Sequence, residues 1–250
     1  MKISLITVSY NSVNTIEQTI KSVINQTYSN IEYIIVDGMS TDGTLDIIKK
    51  YDDFINKKVV EIDNGIYDAM NKGISLCTGD IIGILNSDDF YYDKYVLENI
   101  ISTFKSSDVD SVYTDLVYVD KFDTNKIRRY WKSSEYNKSN FLFGWMPPHP
   151  SLFVKSKVYK NHGSFNLNFK ISADYEFMLR QFFVNGISSK YLPIISVKMR
   201  IGGISNRNLL SRISAHKEDI NAWKINKINP YFFSLLLKPT RKLLQYIIKP

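Results

Sequence analysis

Residues 81–89 read Ile81-Ile82-Gly83-Ile84-Leu85-Asn86-Ser87-Asp88-Asp89, an apolar run that stops abruptly at two polar residues and two adjacent carboxylates. An isoleucine-rich run of this length, bounded by turn formers, predicts a buried strand. Neighbouring carboxylates repel each other, so a stable arrangement calls for a cation beside them. Hard oxygen ligands at the carboxyl end of a strand suit Mg²⁺ or Mn²⁺, and those ions suit a diphosphate. The same residues also make a plain solvated turn, since Asn, Ser and Asp dominate turns. The rest of the first half bears on which reading holds.

Towards the N-terminus the same grammar recurs. Ile3 to Val8 reads as a buried strand, Ser9-Tyr10-Asn11-Ser12 as a turn and helix cap, and Ile16, Ile20, Val23 and Ile24 share one helical face. Ile31 to Asp37 is a second strand ending in a carboxylate, followed by the polar turn Gly38-Met39-Ser40-Thr41-Asp42-Gly43 and a helix through Leu45, Ile47 and Ile48. Val59 to Ile62 predicts a third strand, and Gly65 to Leu76 a helix. Strands alternating with helices imply a parallel sheet with right-handed crossovers. Ligands of such sheets bind beyond the carboxyl ends of the strands, where Ser9 to Asn11, Asp37 and the Asp88/Asp89 pair converge.

After a helix through Val96, Ile100 and Phe104 the pattern changes. Val112 to Val119 is strand-like, with Ile127 to Trp131 as a hairpin partner; residues 132–151 lack periodicity and hold the rigid loop Met146-Pro147-Pro148-His149-Pro150-Ser151. A helix through Asp174 to Arg180 and a strand from Tyr191 to Val197 follow.

With 44% hydrophobic and 23% charged residues in 250, the composition is globular. A formal charge of +7 favours anionic partners without saying which. The single cysteine, Cys77, excludes an intrachain disulfide and fits a reducing compartment. The chain opens directly on a strand-like run, which predicts no signal peptide, and no run reaches the roughly 18–20 apolar residues of a spanning helix. Beyond residue 206 basic residues interleave with aromatic and aliphatic ones, from Tyr231 through Phe232, Phe233, Arg241, Lys242 and Tyr246 to Ile248. That pattern fits either a peripheral membrane contact through 231–248 or helices packed on the domain. No nucleic-acid-binding module is recognisable.

Four segments together resemble the family 2 glycosyltransferases: Ser4 to Asn11, Val36-Asp37-Gly38-Met39-Ser40-Thr41-Asp42-Gly43-Thr44, Asp63 to Gly73, and Asn86-Ser87-Asp88-Asp89. The resemblance runs from residue 3 to about 205 and is strongest to bacterial members that build surface polysaccharides such as colanic acid and O-antigen. It implies a GT-A fold: a mixed, mainly parallel α/β sheet flanked by helices, with a C-terminal helical appendage. Residues 1–115 would form the nucleotide-sugar half, 116–205 the acceptor half of the same domain, and 206–250 a basic amphipathic tail.

By the same resemblance the donor is a nucleotide-diphospho-sugar, UDP-linked, used with Mn²⁺ or Mg²⁺. Thr7, Val8 and Ser9 would line the base, Asp37 would accept the uracil N3–H, Asp88 would take the ribose or the metal, and Asn11 and Ser87 would contact the donor. Asp88 and Asp89 would take the metal. Asn71 and Lys72 sit where the family approaches the donor, and His149 where it meets the diphosphate or the acceptor. Asp174 matches the family's catalytic base, with Glu176 as runner-up; a single-displacement transfer needs such a base to take the acceptor hydroxyl's proton. The acceptor would be a glycan or a lipid-linked glycan at the cytoplasmic face of the membrane. Two departures stand out, Asn86 and Ala173, where many members carry acids. The alternatives are a non-catalytic sugar-nucleotide-binding protein and a sugar nucleotidyltransferase, though the turn after the first strand lacks the glycines of a phosphate loop.

Overall fold

The computed structural model describes residues 1–202 and 209–229, together with Ser234, Leu237, Gln245 and Tyr246. The first half comprises β1 (Ile3–Ser9), α1 (Ile16–Ile24), β2 (Ile31–Asp37), α2 (Thr44–Lys49), β3 (Lys57–Val60), α3 (Ile66–Leu76), β4 (Ile81–Ile84), β5 (Phe90–Tyr91) and α4 (Val96–Ser106). The second holds β6 (Ser111–Val119), β7 (Ile127–Trp131), α5 (Lys138–Leu142), β8 (Leu152–Lys155), α6 (Ser156–His162), α7 (Ala173–Met178), β9 (Ser189–Arg200) and α8 (Leu209–Ile225). The segment Tyr231 to Ile248, read above as either a membrane contact or helices packed on the domain, lies outside the described residues except at four positions.

Among the described residues the strands form one mixed sheet in the order β3-β2-β1-β4-β8-β6-β9-β5, with β7 on β6. The expected parallel arrangement is complete across β3, β2, β1 and β4. In the second half β8 runs antiparallel to both β4 and β6, while β6 and β9 are parallel. The period-two alternation of strand side chains divides β1 between two cores. Ile6 and Val8 join Met70, Tyr67 and Trp223 on one face; Ile3 and Leu5 join Ile16, Ile20 and Ile100 on the other.

The third strand departs from expectation by two residues, covering Lys57–Val60 rather than Val59 to Ile62. As an edge strand it alternates half-buried and exposed positions, and the Lys57 ammonium reaches the buried Glu32 at 3.0 Å. β8 was not expected at all. It packs against β4 because Gly83 has no side chain: a Cβ there would meet the Phe153 ring at 2.6 Å.

Among the buried polar residues of the sheet is Glu32, 3% exposed. It accepts hydrogen bonds from Ser4 Oγ and from Thr78 N–H (2.8 Å) and Oγ1 (2.7 Å), and pairs with Lys2 and Lys57. Burial works against its charge, but these donors outweigh it and hold the carboxyl far below the usual range.

Candidate active site

β1 and β2 end side by side, Ser9 opposite Asp37. Asp37 is fully buried; its carboxylate accepts from Ser9 Oγ at 2.7 Å, Ser40 N–H at 2.7 Å and Ser40 Oγ at 2.8 Å. The two loops beyond the strands are laced together: Ser40 Oγ accepts from Asn11 N–H (2.8 Å), and Asn11 Oδ1 accepts from Thr41 N–H (2.9 Å). Asn11 and Met39 both take the left-handed conformation, at φ 48° and 64°. Gly38 lies so close to the Asp63 carboxylate that a Cβ there would displace it, which brings the loop after β3 against the same corner. Thr7 shares the burial of the whole of β1. It is buried inside the core with its hydroxyl 3.1 Å from that of Tyr33, and Val8 is a core residue, so Ser9 and Asn11 are the β1-side residues nearest the carboxyl edge.

The loop after β4 carries the carboxylate pair. Its backbone is anchored by Thr19 Oγ1, which donates to the carbonyls of Ser87 (3.0 Å) and Asp89 (2.7 Å), and the Ser87 and Ser12 hydroxyls pair at 2.7 Å. Asp88 is half-buried, Asp89 fully buried. Burial pushes the Asp89 carboxyl well above the usual range, the charge of Asp88 adds to this, and Asp88 itself is raised by burial. Asp89 Oδ1 and Asn86 Oδ1 are buried oxygens without a hydrogen-bond donor among the described residues. Two such acceptors beside Asp88 make a hard-oxygen set that fits Mg²⁺ or Mn²⁺. No group of three or more His, Cys, Asp or Glu side chains gathers among the described residues, so such an ion would complete its shell from water and diphosphate oxygens.

Arg200, at the end of β9, escaped the sequence reading. It is 6% exposed, donates to the Asp88 carbonyl and to Gln18, and stacks on Phe90 at 4.9 Å. Burial lowers its pKa while Asp88 and Asp89 oppose the change, so it is the nearby cation that offsets the pair. It stands 112 residues from Asp88, with no local signal to connect the two.

Across the cleft Asp174 occupies the second position of α7 and is half-buried, its Oδ1 accepting from the Tyr67 hydroxyl at 3.0 Å. His149 packs edge-on against Phe165 at 5.6 Å. Burial lowers its pKa and Asp174 partly restores it, leaving the imidazole neutral at pH 7. Burial pushes the Tyr118 hydroxyl up to about 12, against the opposing charge of Arg129. The other acids here are engaged. Glu176 is 1% exposed and paired with Arg180 at 2.9 Å. Asp115 accepts from Tyr130 (2.5 Å), Ser133 N–H (2.6 Å) and Tyr191 (2.9 Å).

Asn71 and Lys72 are occupied internally. Asn71 exchanges two hydrogen bonds with the Phe165 backbone, at 2.8 and 3.0 Å. Lys72 holds the Ile62 carbonyl at 2.9 Å and pairs with Glu61 at 3.0 Å and Asp68 at 3.4 Å.

The family model described as Glycosyl transferase family 2 matches residues 4–167. A PGL/p-HBAD biosynthesis glycosyltransferase of Mycobacterium bovis is 27% identical over 207 residues, covering 81% of this chain and 78% of the relative. An uncharacterized glycosyltransferase of Mycobacterium tuberculosis is 29% identical over 180 residues, covering 71% and 68%. Staphylococcus aureus TarS 1-349 in complex with UDP-GlcNAc matches with a TM-score of 0.70 at 16% identity, over 90% of this chain; the chain spans only 65% of that structure's length. The mannosyltransferase PcManGT from Pyrobaculum calidifontis, in complex with GDP-Man and Mn²⁺, gives 0.64 at 16% identity, covering 96% of this chain and 72% of the other. At these identities the structural likeness speaks for the fold, a GT-A arrangement of a mixed sheet between helices.

Proposed function

This chain belongs to glycosyl transferase family 2, and on that premise we propose that it transfers a sugar from a UDP-linked donor by a single displacement with inversion. The acceptor is a glycan or lipid-linked glycan of bacterial surface polysaccharide synthesis. One observation carries the mechanism: Asp174 is the half-exposed acid of the second half with acceptor capacity left, while Glu176 and Asp115 are enclosed by their own partners. The acceptor oxygen bonds to the anomeric carbon as the bond to the diphosphate oxygen breaks. The electron pair leaves with the nucleoside diphosphate, and the hydroxyl proton passes to Asp174.

Asp37 and Ser9 meet the nucleobase, with Asn11 beside them, and Ser87 and Asp88 face the ribose. Asp88 and Asp89, with Asn86 Oδ1, would hold Mn²⁺ or Mg²⁺, which supplies positive charge against that growing on the leaving diphosphate. Neutral His149 offers a hydrogen bond to acceptor or diphosphate. Asn71 and Lys72 shape the donor side through the loops they hold. No described helix is long and apolar enough to cross a membrane; contact with the cytoplasmic face is assigned to residues 231–248.

The test is a thermal-shift panel of UDP-, GDP- and dTDP-sugars with Mn²⁺, followed by nucleoside diphosphate release. A UDP-sugar should give the largest shift. Silence across the whole panel would contradict the reading.

A further inference from the structure

Asp174 sits in the first turn of α7, which runs directly into a wider helical turn at Leu179–Val184, and the α7 cap, Ser172, makes no side-chain capping bond. A helix start leaves its first backbone N–H groups without intrahelical partners, so contacts from outside the helix help to fix the side chains there. Two restraints are present, from opposite sides.

From α3, the Tyr67 hydroxyl faces both Asp174 Oδ1, at 3.0 Å, and the Ile171 carbonyl, at 2.7 Å. One proton shared by these acceptors ties the carboxylate to the loop before it. Tyr67 is itself 8% exposed, and burial together with the Asp174 charge pushes its hydroxyl well above the usual range, so it remains a donor. One turn along α3, Asn71 holds the Phe165 backbone, so a single helix grips both ends of the 165–171 loop. From α8, the Glu218 carboxylate accepts the N–H groups of Lys170 (3.0 Å), Ile171 (2.9 Å) and Ser172 (2.8 Å).

We propose that Tyr67 is a positioning residue for Asp174, and that Glu218 locks the 170–172 loop through which Tyr67 and the carboxylate are held together. This rests on the reading of Asp174 as the base. The clamp makes the C-terminal helix part of the acceptor side's working geometry, although α8 supplies no group to the reacting atoms.

The experiment is a double-mutant cycle in the full chain. Nucleoside diphosphate release is measured with Mn²⁺ and the sugar nucleotide giving the largest thermal shift, and donor affinity by calorimetry. Tyr67→Phe keeps the ring and removes the hydroxyl. It should lower kcat roughly 10–100-fold, the range for loss of a hydrogen bond to a charged group, with donor Kd and KM within about twofold of the parent. On an Asp174→Asn background the same change should cost nothing further. Glu218→Ala should lower kcat with donor affinity intact, and Glu218→Gln, which keeps one acceptor oxygen, should recover part of the loss. Should Tyr67→Phe lose donor binding, Glu218→Gln runs the same cycle. If Asp174→Asn is slow but Tyr67→Phe turns over at the parent rate, or its loss is equal on both backgrounds, the positioning role is overturned while the base stands. If Asp174→Asn itself keeps the parent rate, the base assignment fails and this proposal with it.

Discussion

Ser9 and Asp37 are register partners at the ends of β1 and β2, and the Ser9 hydroxyl donates to Asp37 Oδ2 at 2.7 Å. With Ser40 supplying two more donors, three of a carboxylate's roughly four acceptor directions are used, and the one left is on Oδ1. That single direction is what a nucleobase N–H would take. Asp37→Asn should therefore raise the donor Kd at least tenfold. It should also cost about 1–3 kcal/mol of stability, because Ser9 and Ser40 then face an amide. Urea unfolding and calorimetry separate the two effects; an unchanged donor Kd would reduce Asp37 to a staple between loops.

Asp89 gives a pH dependence with an unusual sign. Its folded pKa is raised, so the native state binds more protons than the unfolded one, and stability falls as pH rises from the ordinary carboxylate range through the folded value. A divalent cation removes that penalty. The metal-induced rise in Tm should grow from pH 5 to pH 8 and vanish in Asp89→Asn, while the metal-free variant melts above the metal-free parent, by about 2–4 °C per kcal/mol recovered. Turnover unaffected by EDTA would sink the metal assignment.

Glu32 has the opposite sign. Its folded pKa is depressed, so its contribution is complete above the unfolded pKa of about 4.5 and is lost as pH falls below that. Glu32→Gln should cost roughly 2–4 kcal/mol at pH 7 and flatten the acid limb of the stability curve. Equal denaturant midpoints for parent and variant at pH 7 would contradict this.

The C-terminal segment offers a further test. Gln245 and Tyr246 pack on β7, where Gln245 accepts from the Arg129 guanidinium and the guanidinium lies 4.3 Å from the Tyr118 ring centre. Each Lys or Arg near an anionic surface adds on the order of 1 kcal/mol of attraction. Deleting residues 230–250 should abolish co-sedimentation with phosphatidylglycerol vesicles at low salt while leaving donor binding intact. Retained sedimentation would remove the membrane role from 231–248.

Much of the first half was legible because its signals are local. The alternation of Ile3, Leu5, Ile6 and Val8, and the polar stops at Ser9, Asp37 and Asp88, place three strands and the cleft without reference to distant residues. β8 was not legible: four residues after a proline-rich loop carry no periodicity, and their pairing depends on the space above Gly83. The internal partners of Asn71 and Lys72, Phe165 for the first and Glu61 and Asp68 for the second, were not legible in the sequence either. Arg200 and Glu218 act on loops far away in the chain, which only the closed fold reveals.

The central claim is that Asp174 takes the acceptor's proton. Asp174→Asn keeps the size and one oxygen towards Tyr67 but removes the basicity. Measured side by side with the parent, donor affinity in Mn²⁺ should be unchanged and nucleoside diphosphate release should fall by about 10²–10⁴. Release at the parent rate with donor bound normally would place the base elsewhere.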